Sequence, residues 1–229
     1  MHRSERLGAA WGAMGIGGNI LGVIALGPVP SAYRPGALDA WTAQTLAHPR
    51  ATVASAVAFA LGLTALAGWA AALGRFVGGP VARAGAAAMA AAATVNAAAS
   101  LLPLVLVLHV APGCHEAACA PVARALLGSA LCADAFFNLL FGLGLAAVGG
   151  ALAGSLGRRW LGALGMVAGL ATVPVSLQIV SDTAARWLAV AAPLWLLFVA
   201  WSSALLWRRP GLRGPKAPHE SETPLARPG

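Results

Sequence analysis

The run PVARALLGSALCADAFFNLLFGLGLAAVGGAL, from Pro121 to Leu152, decides the fold. A helix needs roughly 20 predominantly apolar residues to cross a hydrocarbon layer about 30 Å thick. This run exceeds that length, with Arg124 near its start and Asp134 as the one carboxylate inside it. Pro121 suits the first turn of a helix, where its missing N–H is no loss, so the span is expected to start there.

Outward from this run, five more stretches read the same way, at about 7–26, 52–73, 81–110, 160–180 and 184–207. With short joints and polar ends, the six use up the 229 residues and leave no room for a separate soluble domain. Of the chain, 59% is hydrophobic and only 10% charged. Soluble domains carry about 25% charged residues. So much apolar surface cannot be buried inside so short a chain, and the solvent itself must be apolar. The expected fold is an all-α, polytopic bundle of six transmembrane helices over residues 1–208. A disordered basic tail, rich in Arg, Pro and Gly, should follow over 209–229. The opening, His2 to Arg6 and then apolar from Leu7, also has the form of a signal peptide. Pro30 stands where cleavage requires a small residue, which favours a retained first span.

The formal net charge is +8. In a soluble protein that balance points to nucleic acid, but here the basic residues flank apolar segments, which is how topology and contact with anionic headgroups are encoded. The expected partner is therefore the lipid bilayer rather than nucleic acid. One side holds eleven Lys and Arg: Arg3, Arg6, Arg75, Arg83, Arg158, Arg159, Arg208, Arg209, Arg213, Lys216 and Arg227. The other holds four, Arg34, Arg50, Arg124 and Arg186. The positive-inside rule places the first set, and with it both termini, in the cytoplasm. Trp11, Trp69, Trp160 and Trp207 fall at the cytoplasmic helix ends so assigned, and Trp187 at an outer one.

Two rows of small residues bear on packing. Gly12, Gly15, Asn19 and Gly22 line one face of the first span; Gly162, Gly165, Gly169, Thr172 and Ser176 line one face of the fifth. Gly18 to Gly22 and Gly165 to Gly169 each read G-x-x-x-G. Such rows let helix backbones approach closely in lipid. A homodimer or protein-partner face is one reading. Packing inside the protomer is the other, and six helices that must assemble favour it.

Asp134 is the most expensive residue, because a carboxylate in hydrocarbon must face the bundle interior or be protonated. It lies about ten residues past Arg124, so roughly 15 Å along the helix. Asn138 is one turn away on nearly the same face. Asn96 of the third span is the natural partner at similar depth, and Gln178 lies near the outer end of the fifth. Pro103, Pro174 and Pro193 interrupt the outer halves of three spans, where each removes a backbone donor. Together these residues suggest a polar cavity open to the outer side, serving a ligand, an ion or a proton relay. A buried hydrogen-bond knot that sets helix register is the competing reading.

The connection from His109 to Cys119 gathers His109, Cys114, His115, Glu116 and Cys119, all of types that bind zinc or copper. The C-x4-C spacing is not a zinc signature and no second pair completes four ligands. A Cys114–Cys119 disulfide on the oxidising side is the expected state. His48 and His109 stand near the outer boundary, where paired histidines can ligate haem iron, although the His48-Pro49 step also serves simply to start the second span. Asp182 can cap the last span and pair with Arg186. No Walker loop, G-x-S-x-G elbow, H-E-x-x-H or C-x-x-C occurs, so the familiar hydrolase, NTPase, metalloprotease and thiol-redox signatures are missing.

The run Asp134-Ala-Phe-Phe-Asn138-Leu-Leu-Phe-Gly142-Leu-Gly144 is followed by Arg159-Trp160-Leu-Gly162-Ala-Leu-Gly165. With the Leu46-Ala-His48-Pro49 step, these motifs resemble a bacterial family of six-span integral membrane proteins catalogued only as a domain of unknown function. The resemblance implies a six-helix fold in the bacterial inner (plasma) membrane and carries no catalytic residue. The leading expectation is a non-enzymatic binding or accessory protein with an outward-facing polar cavity around Asp134. The alternative is a membrane-embedded redox or metal/haem enzyme using His48, His109 or the Cys114–Cys119 loop. A proton-coupled small-molecule transporter comes third, and the cofactor stays open.

Overall fold

A computed structural model describes residues 2–27, 36–113, 116–154 and 158–208. The described chain is helical, with no strand among the described residues. The helices are α1 (His2–Leu26), α2 (Ala37–Ala47), α3 (Pro49–Val77), α4 (Pro80–Ala99), α5 (Leu102–Val105), α6 (Glu116–Ala153), α7 (Arg159–Thr172), α8 (Asp182–Arg186) and α9 (Leu188–Arg208). A π-helical turn, Leu106–Val110, and a 3-10 turn, Ala111–Gly113, follow α5; a longer 3-10 segment, Val173–Ile179, follows α7. Six segments are long and apolar enough to cross a bilayer: Ser4–Leu26, Pro49–Val77, Pro80–Gly113, Ala120–Ala153, Arg159–Ile179 and Leu188–Arg208. The protein is a polytopic α-helical membrane bundle.

The six spans form a closed ring, α1–α3–α4–α6–α7–α9, in which each packs on its neighbours in sequence and the last returns to the first. The Arg6 guanidinium lies 5.8 Å from the Trp207 ring centre, so the start of the first span and the end of the last share one face. The outer surface is apolar: Leu21, Ile24, Leu61, Leu143, Val167, Leu170 and Leu197 are all exposed. In water such a belt would aggregate; in a bilayer it meets lipid tails of its own kind.

Lipid is as apolar as the side chains, so helices associate through close packing and hydrogen bonds rather than through expulsion of water. The glycines make that packing possible. A Cβ on Gly18 would lie 2.5 Å from the Gly62 Cα, one on Gly144 2.5 Å from the Gly85 carbonyl, and one on Gly149 2.5 Å from the Met166 nitrogen. Both rows of small residues are occupied in this way within the protomer. Gly12, Gly15 and Gly22 meet Ser203, Leu66 and Phe59; Gly162, Gly165 and Gly169 meet α6. Ser55 Oγ adds a hydrogen bond from α3 to the Gly22 carbonyl of α1, at 2.9 Å.

Several boundaries differ from expectation. The fourth span starts at Glu116, so Pro121 lies inside α6 rather than opening it. Pro103 and Pro174 do end their α-helices, at Ala99 and Thr172, because neither can donate to the carbonyl four residues back. Pro193 lies inside α9, which continues through it. Trp69, expected at a membrane boundary, is fully buried in the core, while Trp160 and Trp207 are exposed. Arg158 is buried too, its guanidinium 5.0 Å from the Phe76 ring centre. The residues 209–229, expected as a basic tail, lie outside the described residues, as does Pro30.

Candidate functional site

Three spans meet at one carboxylate. Asp134 Oδ1 accepts a hydrogen bond from Asn96 Nδ2 of α4 at 3.0 Å. Its Oδ2 accepts from Asn138 Nδ2 of α6 at 3.1 Å and from Gln178 Nε2 of the 3-10 segment at 2.5 Å. The Asn138 amide also donates to the Asp134 backbone carbonyl at 2.8 Å, which ties the two side chains together across one helical turn. All four residues are candidates from the sequence, and the structure brings all four together.

Each partner arrives by a local device. Asn96 lies on the last turn of α4, where Ser100 closes the helix: its N–H donates to the Asn96 carbonyl at 2.8 Å and its Oγ to the Ala97 carbonyl at 2.8 Å. Gln178 is expected at the outer edge of its span. After Pro174 the chain winds as a 3-10 helix, three residues per turn with a longer rise, and this segment packs on α6, carrying Gln178 to Asp134. Asn96, Asn138 and Gln178 are 8%, 5% and 1% exposed, and Asp134 as a residue is half-buried, with both carboxylate oxygens enclosed by these amides.

The neighbourhood has no fixed positive charge. Every Lys and Arg in the chain stands near or beyond the end of a span, and among the described residues Asp134 makes no ion pair. Arg124, the nearest on the same helix, instead donates to Asp39 of α2 at 2.6 Å, with both side chains more than half exposed. The two carboxylate oxygens, with about four lone-pair sites, accept all three N–H donors.

Next to this polar node, toward the face that carries Arg6 and Trp207, the interior is filled with rings. Phe137 stacks on Phe141 at 4.8 Å, Trp195 meets Phe141 edge-on at 6.0 Å, and Trp69 meets Phe198 edge-on at 6.1 Å. At the opposite face lies α2, expected from the sequence only as a joint between spans. Trp41 and Leu38 of α2 pack on Leu106, Ala123 and Leu127, and Gln44 Nε2 donates to the Leu26 carbonyl at 3.3 Å. Its mixed sequence, ALDAWTAQTLA, is too short for a span, and its helical pairing with α6 depends on contacts distant in sequence.

The remaining candidates are not brought into one site. His48 joins α2 to α3 and is exposed; His109, in the π turn, is exposed as well. No group of three or more His, Cys, Asp or Glu gathers among the described residues. Cys114 and His115 lie outside the described residues, as do the side chains of Glu116, Cys119 and Asp182. The expected Cys114–Cys119 disulfide therefore finds no support here. Cys132 of α6 is an exposed free thiol. At the start of α8 it is Ser181 Oγ that accepts from the Ala184 N–H, at 3.3 Å.

Fold and site together define a polytopic α-helical membrane protein with a lone intramembrane carboxylate held by three amides. No family profile, curated protein or solved structure matches the chain.

Proposed function

We propose that this is a multi-pass protein of the bacterial inner membrane, both termini cytoplasmic, that binds a small ligand at Asp134 from the outer side without catalysing a reaction. One observation carries the reading: a carboxylate inside the membrane with three amide partners and no counter-charge. A knot that only fixed helix register would be cheaper with neutral groups, since an uncompensated charge in hydrocarbon costs several kcal/mol. Such groups concentrate on ligand, ion and proton routes. The aromatic filling between the node and the face that carries Arg6 and Trp207 supports approach from the opposite side, and the basic residues at the Arg6 face support an outer placement of that side.

The test uses a quaternary carbodiimide, whose fixed charge prevents it from crossing bilayers. It is applied to vesicles of both orientations, and Asp134 is followed by peptide mass. Modification of Asp134 only from the outer side is expected, with the Asp134→Asn protein unlabelled there. Failure to label Asp134 from either side, with labelling restored on unfolding, would reduce the node to a structural knot.

A further inference from the structure

We propose that the ligand of the Asp134 site is a single positive charge: a monovalent cation, of which the proton is the smallest. This rests on the reading of Asp134 as a binding site and adds the charge class of what it binds.

The argument is one of charge balance in a medium that tolerates no surplus. The site contributes one negative charge from Asp134, and Asn96, Asn138 and Gln178 are neutral. No Lys or Arg lies between Arg83 and Arg124, between Arg124 and Arg158, or between Arg159 and Arg186. The nearest cation on α6, Arg124, is about 15 Å away and engaged with Asp39. Of the elements packed against Asp134, the 3-10 segment carries no titratable group and α4 carries only Arg83, thirteen residues and about 20 Å along the helix from Asn96. On α6 Cys132 is exposed, and beyond α5 so is His109. A monovalent cation brings the site to neutrality. A divalent ion would leave a net positive charge in hydrocarbon and an anion would double the negative one, and each is as unfavourable as the bare carboxylate.

The ligating atoms are already in place. An amide that presents N–H to the carboxylate carries a carbonyl on its other arm, so a half-turn about its last torsion supplies an oxygen instead. Asp134 with one to three such oxygens matches the all-oxygen set of a hard monovalent ion or the acceptors of an ammonium. For a bound proton, one turned amide accepts the new O–H. Gln178 sits on the 3-10 segment that follows Pro174, where the backbone is not locked in α-helical geometry, and Asn96 sits on the last turn of α4. The stacked rings of Phe137 and Phe141 fill the side toward Arg6, which leaves the opposite side as the route for the ion.

The experiment is thermal unfolding of the full chain in nanodiscs of zwitterionic lipid, read by tryptophan fluorescence. Sodium, potassium, ammonium and magnesium chlorides are titrated at constant ionic strength against N-methylglucammonium, from mildly acid to mildly alkaline pH. A saturable rise in midpoint is expected with one small monovalent cation, while magnesium should leave the midpoint where N-methylglucammonium leaves it. Asp134→Asn should abolish the rise. If pH alone separates wild type from Asp134→Asn, the cation is the proton. A saturable response to magnesium, or wild-type curves that no salt or pH displaces, would overturn the proposal, and both outcomes are read on wild type without any variant. If Asp134 still takes the outer carbodiimide in that case, the site stands and only its charge class fails; without labelling both readings fall.

Discussion

At the scale of single residues, the Asp134 node is asymmetric in what its removal costs. Asp134→Ala strands the amides of Asn96 and Gln178, while Asn138 keeps the Asp134 backbone carbonyl, and leaving a buried donor unpaired costs about 1–3 kcal/mol each. Asp134→Asn keeps an acceptor of the same shape and loses only the charge-assisted part of those bonds. We expect Asp134→Ala to lower the unfolding midpoint in detergent well below Asp134→Asn, with Gln178→Ala between them. Equal midpoints for all three would mean that the amides find other partners. The Asp39–Arg124 pair is the opposite case. It is short but exposed, so Arg124→Gln should leave the unfolding midpoint nearly unchanged, and a clear loss would show that α2 is held by this pair instead of by Trp41.

At the scale of elements, neighbouring glycines on α1 predict opposite outcomes. Gly17 has open space where a Cβ would go, while Gly18 has the Gly62 backbone there. Gly17→Ala removes a flexible residue from a helix and should be neutral or stabilising by up to about 1 kcal/mol. Gly18→Ala must push α1 off α3 and should destabilise by about 1–3 kcal/mol. Unfolding in a mild detergent titrated with a denaturing one reads both, and a neutral Gly18→Ala would show that the close approach is not rigid. Composition marks both residues only as small. Which one faces a helix follows from the rotation of α1 about its axis, a tertiary quantity. The same holds for Trp69, whose place near a helix end suggests a boundary tryptophan. It lies in the core because its face of α3 turns toward Phe198.

At the scale of the whole molecule, the ring of six spans places the start of α1 and the end of α9 on one face, which the proposed orientation puts in the cytoplasm. On that proposal a fluorescent reporter that matures only in the cytoplasm should be bright when fused to either terminus, and darkness at either one would invert the orientation. With both termini cytoplasmic, the connection carrying Cys114 and Cys119 would be external. An impermeant maleimide should label these thiols in intact cells only after reduction if the disulfide forms, and directly if it does not.

The sequence by itself determined the solvent, the number of spans and the four residues of the node. Each of these depends on transfer free energy along one segment: about 20 apolar residues must cross, and an acid or amide among them must find a partner. The tertiary structure decided which residues partner which, that α2 is a helix at the end opposite Arg6 and Trp207, and that Gln178 reaches Asp134 on a 3-10 segment. It also decided that Arg158 and Trp69 lie inside. These depend on helix rotation, on backbone changes at proline and on contacts between residues far apart in the chain, none of which a local window of residues encodes.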